Sequence, residues 1–296
     1  KIGAKASIDQ AAGTYNNTIN FYAITNPVPL SFDEAYAAAG KTKLNGYYKI
    51  QDATPSIIAD VAEGQISQVI DVRDGTVYNI GKLADGNAWM LDNLSLDLTD
   101  SNVQAVLSSS NTNASDTSLN YLINGGGSGQ YPATGVSSTF ASSNTIPYIE
   151  KRYKDDVAPT RYGAGTGKVG IYYNFCSTSG GSYCYSTGSG IPSEDICPSN
   201  WSIIRAGDLN NTYTIAYAGN GENFRNAFSA NYSGYYYPSG QSGYGTVGEW
   251  WTTSFNSTYD VMRGMEIMNS LIHLDNYDGR PNRSVGYNIR CVLHTQ

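Results

Sequence analysis

Residues 71–98 read "DVRDGTVYNIGKLADGNAWMLDNLSLDL", and "ISQVI" precedes them at 66–70. Apolar and polar residues alternate in short runs broken by "RDG" and "ADGN". A two-residue period puts the apolar side chains on one face of an extended chain, and Asp-Gly turns reverse it, so the stretch predicts successive β-hairpins.

Upstream, "NPVPL" breaks the chain, and "SFDEAYAAAGK" places Glu34 three residues after Ser31, an N-cap pattern that predicts a short helix over about 32–39. Residues 30–65 read as a helical linker. Residues 1–29 read as a β-strand extension, with runs "KIGAKASID" and "NTINFYAITN" joined by "QAAGTYN". Two strands alone are marginal. They must pack on the rest of the chain, belong to a domain upstream, or add to another subunit by edge pairing. Their form resembles the closing strands of immunoglobulin-like repeats in bacterial surface proteins.

Downstream, 100–145 is dominated by Ser, Asn, Thr and Gly, and the reading is a loop-rich insertion over about 100–165. Leu209, Tyr213, Ala216 and Tyr217 have helical spacing, which predicts one or two short core-facing helices in 205–230. Val285, Tyr287, Ile289 and Cys291 alternate as a strand. The fold class is α+β, with a principal domain over 66–296.

The chain has 296 residues, 40% of them hydrophobic, enough for a substantial core. Only 15% are charged, and 25 tyrosines against 7 phenylalanines suit a secreted β-rich protein. A net charge of -7, without a Lys/Arg run interleaved with aromatics, argues against nucleic acid as a partner. No stretch approaches the roughly 18 apolar residues that a membrane span needs. The first residue is Lys1, as in a mature or excerpted extracellular piece.

Cys176, Cys184, Cys197 and Cys291 lack zinc spacing and fit two disulfides in an oxidising compartment, at the cell surface or outside it. Three pairings exist. The favoured one joins Cys176 to Cys184 and Cys197 to Cys291.

Asp71, Arg73, Asp74, Gly75, Tyr78, Trp89, Met90, Asn93 and Leu94 match the opening pattern of the major paralogous domain called FISUMP, D-x-R-D-G-x-x-Y followed by W-M-x-x-N-L. "ICPSNW" at 196–201 is similar to its I-C-P-x-G-W, and "WWTTSFNS" and "VGYNIRCV" to its closing motifs. The resemblance covers roughly 66–293, with a weak middle. Asn200 stands where the pattern has Gly, and "SIIRAGD" departs from its usual turn. The resemblance implies a C-type-lectin-like fold, shared with formylglycine-generating enzymes and with the variable proteins of diversity-generating retroelements. Its terminal strand runs through the core and pairs near the start of the domain, which also favours the long disulfide.

Catalytic patterns are weak. His273 and His294 are the imidazoles, neither beside a GxSxG motif, and His294 reads as a solvated tail residue. The neighbouring acids Glu194 and Asp195, and Asp275 and Asp278, read as solvated loop residues. The resemblance to sulfatase-modifying enzymes does not extend to their cysteine pair, because Cys291 has no such neighbour. Asp275, Asn276 and Asp278 form an incomplete calcium loop, so the reading is no cofactor, with calcium as a weak alternative. "RPN" at 280–282 departs from the sugar-selecting E-P-N of calcium-dependent lectins, since Arg280 replaces Glu.

Display remains. Tyr259, Arg263, Glu266, Asn269, His273, Asp275, Asn276, Tyr277, Arg280 and Asn282 have the Tyr, Asn and Arg content of a contact surface. In retroelement-diversified relatives this C-terminal stretch is the binding face. Tyr232, Tyr235, Tyr236, Tyr237 and Tyr244 fit sugar stacking and core closure about equally. The expectation is a noncatalytic surface module that binds a glycan or protein. The alternative is a filament or stalk subunit that joins copies of itself through residues 1–29.

Overall fold

The computed structural model describes residues 28–125, 135–138, 146–160, 163–182, 192–256, 261–268, 271–276 and 285–295. The capping pattern at Ser31 is formed: its hydroxyl accepts from Glu34 N at 3.3 Å, and the Glu34 carboxylate accepts from Ser31 N at 2.8 Å. It opens α1 (Phe32–Ala38), which buries Phe32, Ala35 and Tyr36. β1 (Tyr48–Lys49) follows, then α2 (Pro55–Ala59), capped by Thr54 with proline at its first position.

β1 pairs in parallel with β2 (Ile66–Ile70), and Ile50, Ile57, Ile58 and Val61 join the principal core. Residues 30–65, expected as a linker, are thus built into the fold. Their apolar residues cover one end of the sheet.

β2, β3 (Val77–Lys82) and β4 (Ala88–Met90) form the predicted antiparallel hairpins. Gly75 and Gly86 hold their turns at φ 76° and 83°, a region that glycine enters freely.

The polar stretch expected as an irregular insertion holds regular elements. α3 (Ser101–Val106) and α4 (Asp116–Asn124), capped by Asp100 and Ser115, bury Val103, Leu119 and Leu122. β5 (Ile149–Glu150), β6 (Val157–Thr160), β7 (Gly163–Lys168) and β8 (Tyr172–Tyr173) form two small antiparallel pairs. One apolar anchor on α3 and two at helical spacing on α4 seat these helices, so composition alone hides them.

α5 (Phe175–Thr178) and β9 (Ser202–Ile203) lead to α6 (Ala206–Leu209), a π-helical segment at Asn210–Ala216, and α7 (Gly221–Ala227). Leu209 is buried, and Tyr213 and Tyr217 pack on the same cluster, as the helical spacing predicts. β10 (Tyr235–Tyr237) pairs with β11 (Gly240–Ser242), and β12 (Val247–Asn256), β13 (Val261–Met268) and β14 (Ile272–Asn276) form an antiparallel sheet. The tyrosine-rich loop divides: Tyr232, Tyr235 and Tyr236 are buried, whereas Tyr244 is exposed.

β15 (Cys291–Leu293) completes a six-stranded sheet of order β1-β2-β3-β4-β15-β9. Val292 lies opposite Trp89 on one side and Ser202 on the other. Cys291 and Leu293 face one core cluster and Val292 the second, so both faces of this strand are covered. The Cys197–Cys291 disulfide closes a separation of 94 residues. Cys176 is also disulfide-bonded, and its expected partner Cys184 lies outside the described residues.

The approach to β15 corrects the alternation reading. All of 285–293 is buried, including Asn288 and Arg290. Asn288 Nδ2 donates to the carbonyls of Val169 and Ile171 at 3.0 and 3.1 Å, and its Oδ1 accepts from Ser233. Arg290 donates to Asn93 Oδ1 and to the carbonyls of Phe228 and Ser229, with its guanidinium 4.2 Å from the Phe228 ring centroid. Burial depresses its pKa to about 9, while carbonyl dipoles and the aromatic face hold the cation.

The fold is α+β. Among the described residues no helix is long and apolar enough to cross a membrane.

Candidate recognition face

Two adjacent tryptophans fix the sheet that carries the expected contact residues. Trp250 faces the second cluster and donates from Nε1 to Asn93 Oδ1 at 2.8 Å; Trp251 faces the principal core and donates from Nε1 to the Tyr173 carbonyl at 2.6 Å. β12 is thereby anchored through both faces, and β13 and β14 hang from it.

Glu249 lies opposite Glu266, which lies opposite His273. Glu266 Oε2 contacts His273 Nδ1 at 2.9 Å. The glutamate side chain is 9% exposed and the imidazole 39%, so a buried carboxylate orients a half-exposed ring. Glu249 is buried and hydrogen-bonds Tyr287, whose phenol is pushed well above its ordinary range by burial first and by Glu249 second. Two acids side by side on neighbouring strands are unfavourable when both are charged. Tyr287 bonds Glu249 at one end of this pair and His273 contacts Glu266 at the other. Gly264 makes room for the Tyr287 ring, 3.0 Å from where a β-carbon would stand.

Of the expected contact residues, Glu266 and His273 are brought together. Arg263, Asp275 and Asn276 have their backbones on β13 and β14, with Asn276 opposite Gly264. Tyr259, Asn269, Tyr277, Arg280 and Asn282 lie outside the described residues, as does Asp278 of the calcium reading. Among the described residues no group of three His, Cys, Asp or Glu side chains is placed to hold a metal ion.

Glu249 escaped the sequence reading because an acid inside "VGEWW" carries no sign of its burial. The partner register, Glu249 to Glu266 to His273, emerges only from strand pairing.

Two other readings change. Asp195, expected as a solvated loop acid, is buried; its carboxylate accepts from the N–H groups of Cys197 and Ile203 and from Asn113 Nδ2. Desolvation raises it to about 6 against those bonds. His294, expected as a solvated tail residue, is half-buried, with Ser202 at one ring nitrogen and Asp208 at the other.

No family model, no curated protein and no solved structure matches this chain.

Proposed function

We propose that this chain is an extracellular or cell-surface binding module, with a C-type-lectin-like domain related to FISUMP, that engages a glycan or protein through its C-terminal face. The observation that carries the reading is the Glu266–His273 pair: an oriented, half-exposed imidazole on a sheet anchored through Trp250 and Trp251. A rigid scaffold with polar groups at its rim suits recognition, because little ordering entropy is lost on contact.

Three structural facts support the family reading. Asn93 and Arg290, from the opening and closing motifs, are hydrogen-bonded at 2.9 Å. The terminal strand pairs with β4 near the start of the domain. Asn200, which replaces the pattern's glycine, has φ 71°, in the left-handed region that asparagine tolerates best after glycine. The buried disulfide between Cys197 and Cys291 supports an oxidising compartment.

Screening the full chain against glycan and protein arrays tests the reading. A ligand whose binding is lost on combined alanine substitution of His273, Tyr277, Arg280 and Asn282 supports it; retention of full affinity refutes it.

The alternative is a filament subunit joined by strand donation. β1 spans only the Val69–Ile70 end of β2 and leaves Ile66 64% exposed beside an edge with no strand partner among the described residues. An extended segment from a neighbouring copy fits that edge. Native mass measurement decides: a chain beginning at Leu30 that assembles like the full chain rules this alternative out.

A further inference from the structure

Away from the recognition face, strand pairing assembles a serine, a histidine and an aspartate from three elements. Ser202 on β9 lies opposite Val292 on β15. His294 is two residues beyond Val292, so its side chain falls on the same face as Ser202, diagonally across the pair. Asp208 comes from α6, which begins directly after β9.

Ser202 Oγ is 3.2 Å from His294 Nε2, and Asp208 Oδ1 is 3.4 Å from His294 Nδ1. The carboxylate next to Nδ1 favours the tautomer with its proton there, which leaves the Nε2 lone pair directed at the serine hydroxyl. Asp208 is held in turn, since Oδ2 accepts from Arg205 N at 2.7 Å. The second contact is longer than a formed hydrogen bond, a common state of such sites before substrate binds.

We propose that Ser202, His294 and Asp208 form a nucleophile, general base and positioning carboxylate, and that Ser202 accepts acyl groups from activated esters. Ser202 Oγ attacks the ester carbonyl while its proton passes to His294 Nε2. The Oγ–C bond forms, the ester C–O bond breaks, and the alkoxide leaves with the proton from His294. The products are acyl-Ser202 and an alcohol.

The surroundings set the histidine in the base form. Burial first, and the Arg205 cation second, lower its pKa below the usual imidazole range, against the opposing pull of Asp85. Asp208, raised to about 6 mainly by burial, is ionised above that pH. Ser202 itself is buried, at 8% exposure, and His294 keeps 22% of its side chain exposed, so a small electrophile must reach the serine along the imidazole edge. The Cys197–Cys291 disulfide and the Val292–Ser202 pairing hold two of the three groups in one sheet.

The test is labelling of the full, oxidised chain by a fluorophosphonate, with peptide mapping by mass spectrometry. Here the Oγ–P bond forms, the P–F bond breaks, and fluoride leaves as the serine proton goes to His294. The expected result is an adduct on Ser202 whose rate rises with pH through the histidine titration and then levels. His294→Gln should slow it by about 100-fold or more, the usual contribution of a general base. Asp208→Asn should slow it and displace the pH midpoint, a change that a purely structural role would not produce. Thermal melts of each variant check folding. No adduct on Ser202 in the folded wild-type chain overturns the proposal, as does an unchanged rate and pH profile in folded Asp208→Asn, even where His294→Gln fails to fold.

Discussion

Asn93 and Arg290, 197 residues apart, meet where the carboxamide oxygen accepts from the guanidinium at 2.9 Å and from Trp250 Nε1 at 2.8 Å. The same amide donates to the Val169 carbonyl at 2.9 Å. One side chain therefore binds the end of the first hairpin series, the wide sheet and the terminal strand.

Asn93→Ala leaves the Nε–H of the buried Arg290 cation and the buried Trp250 indole N–H without an acceptor, while Arg290 keeps its bonds to the Phe228 and Ser229 carbonyls. It should cost about 3 kcal/mol or more, in the range for stranded buried groups. Arg290→Met, which removes the cation and keeps an apolar stem, should cost less. Urea unfolding of both variants checks the order, and a more stable Asn93→Ala would overturn it.

Asp71 and Arg73 form an ion pair with both side chains fully buried; Arg73 also donates to the Ile196 carbonyl at 2.7 Å. Removing either partner alone should destabilise by about 3 to 5 kcal/mol, because the other charge is left buried and unpaired. The double variant Asp71→Ala, Arg73→Ala should cost clearly less than the sum. A double-mutant cycle measures the difference.

Loss of the Cys197–Cys291 bridge releases a 94-residue separation. The chain-entropy relation gives about 4 to 5 kcal/mol for a loop of that size. Cys291→Ser should lower the melting temperature sharply, and reductant should affect this variant less than the native chain.

Acid dependence has a defined sign at Asp208, raised from 3.8 to about 6 by burial. Between those pH values the folded state keeps a proton that the unfolded chain has lost, so this group's contribution to stability falls as pH rises through the window. Asp97 and Glu150 have lowered values and act oppositely. Asp208→Asn should make the slope of unfolding free energy against pH more positive between pH about 4 and 6, by up to about 3 kcal/mol over the window. Equal slopes in denaturant titrations would count against it.

A β-carbon on Gly248 would run into the Asn231 carbonyl and the Trp250 ring. Gly248→Ala should therefore cost about 3 kcal/mol or more, at the upper end for overpacking. Circular dichroism melts are sufficient to read it.

The hairpins of 66–90 and the capped helix at Phe32 were legible because local chemistry decides them: Asp-Gly turns, period-two alternation, and the Ser31–Glu34 box. The terminal strand was half legible. Alternation marked Tyr287, Ile289 and Cys291 as inward, but Asn288 and Arg290 are buried too, since a second cluster covers the other face. Phe228 and Trp250 cover Arg290, and Val169, Ile171 and Ser233 hold Asn288; all are remote in sequence, and no local pattern announces them. The same holds for Ser202, Asp208 and His294, whose adjacency depends on β9 and β15 pairing. Helices α3 and α4 were hidden by their polar composition, although Ser115 and Asp100 were readable caps.

Placing β15 between β4 and β9 governs how the chain can mature. The fifth position of the six-stranded sheet, between β4 and the edge strand β9, stays vacant until residue 293 has left the ribosome or a secretion channel, so β9 joins the sheet only after synthesis of the other strands, through contacts of very long range. Cys197 must wait for Cys291 during that interval, although Cys176 is far closer along the chain and shorter loops close more readily. Mispairing of Cys176 with Cys197 is the kinetic hazard this topology creates, and a disulfide isomerase is the help it calls for.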